Sequence, residues 1–432
     1  MGWCCLFIIT ACRPTGLSQP STGTAELSRA PTAVHTPIAA ESGLTLESPF
    51  SAESPTLTIW LPIDLAFPAD DPAGQVLAAQ LATFGSAHPD VHVEIHAKSL
   101  TGQGGILSYL THGRAVAPDI LPDVIAVSSE NISQAATSGL IYPLTNYFTA
   151  DILSDIFPAA QSPAQVDGVL YGIPFSLLGL NHLAYNRGVL SEPLPTRWDD
   201  LMVWPGAHLA FPVAGLKGAE LVLQMYLGSG ALLTDSAGHL HMNEGPLTKA
   251  LTRLGVARSV GLIPFSTVAF STLDEAWTAY RGGVVNMALV DSGQFLRERT
   301  QRSSSGFSAL PGPEGPAPSL ARSWLWAIST PDPAQQLLSA ELISWLASTQ
   351  NMGEWSLSAL ILPARRSALA LWPGDDSYIT FLREQAELAR PFPAVMDRTV
   401  LGYLRDSVVS VVTQSESAWN AAQKFIAAVQ QP

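Results

Sequence analysis

Residues 167–201 read DGVLYGIPFSLLGLNHLAYNRGVLSEPLPTRWDDL. On either side of this stretch the chain runs through the same kind of strand and helix succession, which divides it into two α/β halves. Before it, Leu57 to Leu61 reads as a strand, and Leu77, Leu81 and Phe84 share one face of a helix. His88-Pro89-Asp90 breaks that helix, and Val91, Val93 and Ile95 then alternate as a second strand. Asp123 to Val127 (DVIAV) reads as a buried third strand, with a short helix to Gly139 behind it. This spacing predicts a parallel sheet covered by helices.

After residue 182 the pattern returns. Thr196 and Asp199 stand three apart, as the hydroxyl and carboxylate of a capped helix start do, and so do Thr272 and Glu275. His208 to Phe211 and Val284 to Val290 read as strands, and Ala219 to Leu227 as a helix. Leu310 to Pro316 (LPGPEGP) is a loop by composition. Asp332-Pro333 opens a helix carrying Leu338, Leu342 and Trp345 on its apolar face. Leu401, Leu404, Val408, Val411 and Val412 form a last helical stripe, and no solenoid repeat is present.

The N-terminus differs from this body. All three cysteines fall within the first twelve residues. Trp3 to Ala11 is nearly all apolar, far short of the roughly twenty residues that span a bilayer, and it suits the end of a secretion signal closed by small residues. Such a signal should open with a positive charge, and no Lys or Arg precedes the run; the alternative is a chance apolar N-terminus. Met1-Gly2 does not make a myristoylation signal, because position six is Leu6. Ile9 to Cys12 resembles the lipobox of bacterial lipoproteins. That resemblance implies cleavage before Cys12, lipid on Cys12, and a chain left without disulfides or cysteine-ligated metal. Residues 13–56, rich in Ser, Thr, Pro, Ala and Gly, cannot bury enough apolar surface to order themselves. As a flexible coil they would make a tether reaching roughly 35–40 Å.

Composition and motifs exclude several classes of function. The net charge is −14 and the basic residues do not cluster, so no phosphate-tracking surface forms and nucleic acid is not an expected partner. No HExxH, GxSxG or GxxxxGK[ST] pattern occurs, and the glycines of TGQGGI do not make a dinucleotide fingerprint. His239 and His241 lie two apart without a third ligand nearby and read as exposed turn histidines, so no metal site is expected. The pairs Asp70-Asp71 and Asp199-Asp200 fall at loop or helix-start positions that suit capping or solvation. No catalytic residue is assigned and no cofactor is expected. Binding is the leading class.

In order along the chain, LTIW, HPDVHVEI, PDVIAV, SGLIYPLTNYF, DGVLYGIPFSLLGLNHLAYNRGVL, LPTRWDDL, YRGGVVNMALV, SALPGPEG, SWLWAIS and LILPARRSAL resemble the extracellular solute-binding proteins of ABC importers, the branch with maltose- and other sugar-binding proteins. The resemblance implies a two-lobed periplasmic-binding-protein-like fold of type II, with hinge strands between the lobes. It divides the chain into lobe 1 (57–174 with 321–368), lobe 2 (182–314 with 369–432) and a hinge (175–181 and 315–320). It implies a carbohydrate ligand held in the cleft between lobes that close on it, delivery to membrane permease subunits, and a lipid-anchored, extracytoplasmic monomer. Carried over residue by residue, the candidate ligand contacts are Trp60, Asp64, Glu130, Phe175, Trp324 and Arg365, with Asp291, Gln294 and Phe295 from the second lobe. Arg322-Ser323 departs from the family pattern, which often has a glycine pair there. Polyol phosphates, peptides and polyamines stay open as other solutes. An exported glycan hydrolase, which would need two carboxylates roughly 5–10 Å apart, is the rival from another class.

Overall fold

The computed structural model describes residues 56–430 other than 100, 101, 103, 117–119, 150, 237, 302 and 303. The apolar N-terminal run, Cys12 and residues 13–55 of the expected tether lie outside the described residues. Thr56, counted above with the tether, opens the first strand.

Strand β1 is Thr56–Pro62, β2 His92–Lys98 and β3 Val124–Ser128. A small hairpin of β4 (Gln165–Val166) and β5 (Val169–Leu170) precedes β6 (Ile173–Gly179). Strands β7 (His182–Asn186), β8 (Leu209–Ala210), β9 (Met287–Val290) and β10 (Ser305–Ala309) follow. The last strands are β11 (Leu320–Ile328), β12 (Leu362–Pro363) and β13 (Arg390–Pro391). The first sheet runs β12-β6-β11-β3-β1-β2, with β13 paired to β11, and the second runs β10-β7-β9-β8.

The parallel sheet expected from strand spacing is only partly present. Strand β1 is parallel to β2 and β3, but β11 is antiparallel to both β3 and β6. Spacing reports only the local strand–helix–strand units; β11 enters this sheet from residues far along the chain, and its direction is set by that return.

The second sheet explains the long apolar runs of the second half. Leu183 and Tyr185 of β7 and Met287 and Leu289 of β9 belong to one hydrophobic core, while Ala184, Ala288 and Val290 belong to the other. Alternate residues of a strand face opposite ways, so this sheet is buried on both sides. The first core also contains β1, β3 and β6; the second contains the helices Leu216–Gly228, Glu244–Ser259 and Arg398–Val412.

Two helix starts show how far local chemistry decides. Thr272 and Glu275 form the expected reciprocal capping box at the helix Leu273–Arg281. At Trp198–Met202 the N-cap is Arg197 and no side chain caps it; Asp199 is taken instead by Arg253, 3.0 Å away. With the helix starting one residue later than expected, Thr196 and Asp199 are out of register for a box, and the Trp198 N–H donates instead to Gly312 O at 2.8 Å.

The chain leaves the first sheet at Gly179 and enters the second at His182. Gly179 (φ 92°) and Leu180 (φ 51°) both turn left-handed there. That conformation is costly for leucine, and it is held by burial and by the Leu180 N–H donating to Leu320 O at 3.3 Å. The return crossing, ending at Leu320, therefore touches the outward one. Gly215 caps the helix Leu216–Gly228, and a Cβ there would lie 1.9 Å from the backbone oxygen of Ser271. Gly215→Ala is expected to lower stability by about 1–3 kcal/mol through backbone displacement, measurable by urea denaturation.

Candidate functional site

The C-terminal ends of parallel strands β1 and β3 open onto a cleft of about 230 Å³ lined by Pro62, Ser128 and the start of the helix Ile106–Val116. Ligands of open α/β sheets bind in this position, because helix starts with free N–H groups gather beyond the strand ends. Ser99, Ser108, Asn131 and Gln134 add side-chain hydroxyls and amides, and Trp324 supplies an aromatic wall. The site offers hydrogen-bond donors and acceptors of both kinds, with one flat apolar surface. Its described lining residues all lie in strands of the first sheet or in the loops and helices that directly follow β2 and β3.

The other candidates are placed as follows. Trp60 is buried; the Lys98 ammonium lies 4.3 Å from its ring centroid and Tyr109 meets it edge-on at 5.9 Å. Asp64 is exposed in the short 3-10 turn Ile63–Leu65 beyond β1. Phe175 is buried and stacks on Trp326 at 4.3 Å, lining a separate apolar cavity with Leu61 and Trp355. The register of β6 against β11 slips between Trp324 and Leu325, leaving Phe175 without a cross-strand partner. Trp324 lines the cleft, while Trp326, two residues further along β11, lines the apolar cavity with Phe175.

Arg365 caps the helix Arg366–Leu369; its guanidinium donates to Asp155 Oδ2 at 2.9 Å and to Ala347 O at 2.6 Å. Asp291 caps the helix Ser292–Glu298, accepting from the Gln294 N–H at 2.8 Å. The Gln294 side chain is buried, donates to Asp274 Oδ1 at 2.9 Å, and leaves its own Oε1 without a partner. Phe295 sits in an aromatic cluster with His182, Trp277, Phe307 and Tyr378. Of the nine expected contacts, Trp324 alone is among the described residues lining the cleft; Trp60, Asp64, Glu130, Phe175, Asp291, Gln294, Phe295 and Arg365 are not.

Glu130 follows β3, between the lining residues Ser128 and Asn131, and its carboxylate lies 3.1 Å from Arg322. Arg322 also reaches Glu220 at 2.9 Å, and Lys217 reaches Glu220 at 2.8 Å. Burial alone would push the Glu220 carboxyl up, but these two cations outweigh it and hold it down at about 2. Among the described residues no group of three His, Cys, Asp or Glu converges as a metal site. His239 and His241 are both exposed, with His239 Nδ1 3.5 Å from Asp235.

Sequence reasoning missed Ser99, Asn131, Gln134 and the start of Ile106–Val116. The signal was present in the glycines at 102, 104 and 105 just before a helix, a loop that brings backbone close to a ligand.

A backbone of this design, two sheet-based lobes joined by crossing strands, recurs among solved structures. The sugar-binding protein MalE of Xanthomonas citri superposes with a TM-score of 0.72 at 21% identity, covering 87% of this chain and 96% of that one. The cyclic alpha-maltosyl-1,6-maltose binding protein of Arthrobacter globiformis gives 0.70 at 19% identity, covering 87% and 98%. In sequence, the maltotriose-binding protein of Pyrococcus abyssi is 31% identical over 80 residues, a match that spans 18% of this chain and only 17% of that relative. The fold is thus that of the two-lobed binding proteins. Residues 79–380 match the model of the bacterial extracellular solute-binding proteins, and the chain belongs to that family.

Proposed function

We propose that this chain captures a carbohydrate of the maltodextrin class in the cleft beside Trp324 and hands it, chemically unchanged, to the permease of an ABC importer. The observation that carries this reading is the combination of one half-buried tryptophan with hydroxyl, amide and helix N–H groups at the strand ends. Sugars present C–H faces to aromatic rings and hydroxyls to such groups, and need no charge. The maltotriose-, maltose- and maltosyl-maltose-binding relatives support the same ligand class.

A polyamine or peptide amine would want a free carboxylate, and Glu130 is already matched by Arg322. The lobes 57–174 with 321–368 and 182–314 with 369–432 would close about 175–181 and 315–320. Trp324 is the contact this reading places in the cleft itself, and Trp60, Asp64 and Glu130 would act from its surroundings in the first lobe. Phe175 and Arg365 would support the site from behind it, while Asp291, Gln294 and Phe295 would act from the second lobe on closure. Lipid on Cys12 would keep the monomer at the outer face of the cell membrane.

Maltotriose at about a hundred times its dissociation constant is expected to add near 2.7 kcal/mol of stability in a thermal-shift titration. The sugar should be recovered intact. If only polyamines, peptides or polyol phosphates raised the melting temperature, the carbohydrate reading would fail. Trp324→Ala is expected to weaken maltotriose binding by about tenfold or more by calorimetry, through loss of the stacking face.

A further inference from the structure

Arg322 stands at the meeting point of both crossings. Its guanidinium lies 3.5 Å from the Phe392 ring centroid and reaches two carboxylates on different parts of the fold. Glu130, at 3.1 Å, follows β3 of the first sheet beside the cleft. Glu220, at 2.9 Å, is buried on the helix Leu216–Gly228, which packs in the second core. The Asn181 amide, in the outward crossing, donates to Glu220 Oε2 at 3.2 Å. Gln224, one turn along the same helix, donates to Pro318 O in the return crossing at 3.0 Å. Two carboxylates meet two cations, Arg322 and Lys217, so the cluster is balanced in charge. One acceptor in it, Asn181 Oδ1, is buried without a partner.

A planar guanidinium can hold two carboxylates on separate edges at fixed angles, which a lysine ammonium cannot. Contacts therefore run without a break from the loop at the cleft, through both crossings, to a helix of the second core. We propose that Arg322 is a positioning residue that couples solute capture to the setting of the two lobes: it fixes the Glu130 carboxylate at the cleft rim while Glu220 anchors it from the second lobe. The coupling to ligand rests on the cleft being the solute site; the coupling of the lobes does not.

The test uses the full chain and two readouts. In maltotriose calorimetry, Glu130→Gln and Glu220→Gln are each expected to weaken binding by about tenfold, and the double variant to be no weaker than either single one. Arg322→Lys keeps the charge and loses the fork, and in that background the two substitutions should have no further effect. Unchanged affinity in Glu220→Gln, or losses that simply multiply, would overturn the relay. In small-angle scattering without ligand, Glu220→Gln/Arg322→Gln, which removes one charge of each sign and leaves only the partly exposed Glu130 and Lys217 to water, is expected to broaden the distance distribution between lobes. A profile identical to that of the unsubstituted protein would overturn the coupling of the lobes. A protein that bound no maltodextrin at all would defeat the functional reading, and the scattering result would still decide this one.

Discussion

Glu220→Ala is expected to cost the protein about 3–5 kcal/mol of stability, read as a lower urea midpoint at unchanged slope. Taking a buried ion pair out of water is expensive, and the attraction between its members repays that cost only while both are present. Alanine at 220 would remove the partner of Lys217, half of the pairing of Arg322, and the nearer of two acceptors of the Asn181 amide. Arg322 would remain against Phe392 with Glu130 as its sole carboxylate among these contacts. The conservative Glu220→Gln keeps the volume and one acceptor and should lose less. A loss below about 1 kcal/mol for alanine would mean that the cluster is solvated and is not the junction described here.

Acid is expected to weaken the fold through His182 before it touches Glu220. His182 is fully buried at the start of β7, among Phe295, Tyr378 and Phe381. Its Nδ1 lies 2.9 Å from Leu180 O, a carbonyl that can only accept, so Nδ1 carries the proton; Nε2 then accepts from the Tyr378 hydroxyl at 3.2 Å. The neutral ring is thus satisfied. Burial pushes its pKa down to about 4, against smaller opposing effects of the Leu180 carbonyl and the Asp291 charge.

The unfolded chain protonates near pH 6.5 and the folded one near 4, so the unfolded state binds more protons in between and stability falls as pH drops through that window. At pH 5 the loss relative to neutral pH should be about 2 kcal/mol, rising to about 3 kcal/mol at complete protonation. Glu220 acts lower: its carboxyl is held below its ordinary value, so its contribution is present above about pH 4.5 and lost as the pH falls toward 2. Urea denaturation at pH 7.5 and pH 5 separates the two. Equal stability at both values would show that His182 is not held neutral, and His182→Gln should abolish the difference if it is.

How much of this was legible beforehand depends on the range over which each feature is fixed. The strands β1, β2 and β3 and the helix with its Thr272–Glu275 box follow from periodicity and capping chemistry within a few residues. The division into halves was legible because the strand and helix pattern returns after residue 182, whereas the crossing at 175–181 was legible only through family resemblance. Trp324 was legible only through family resemblance, and its place at the cleft follows from its pairing with Ser128 across β11 and β3, which no local pattern announces.

The sequence by itself thus determined the two α/β halves, the order of most strands and helices, and the family, since these rest on side-chain alternation, helix periodicity and motifs met in a fixed order. Tertiary structure alone decided that β11 lies antiparallel between β3 and β6. It also decided that Asp199 serves Arg253 and that Arg322 ties Glu130 to Glu220. Each of those outcomes sets groups many positions apart against one another. An ion pair or strand pairing of that span is chosen by the free energy of the whole packed arrangement, and residue spacing along the chain carries no record of it.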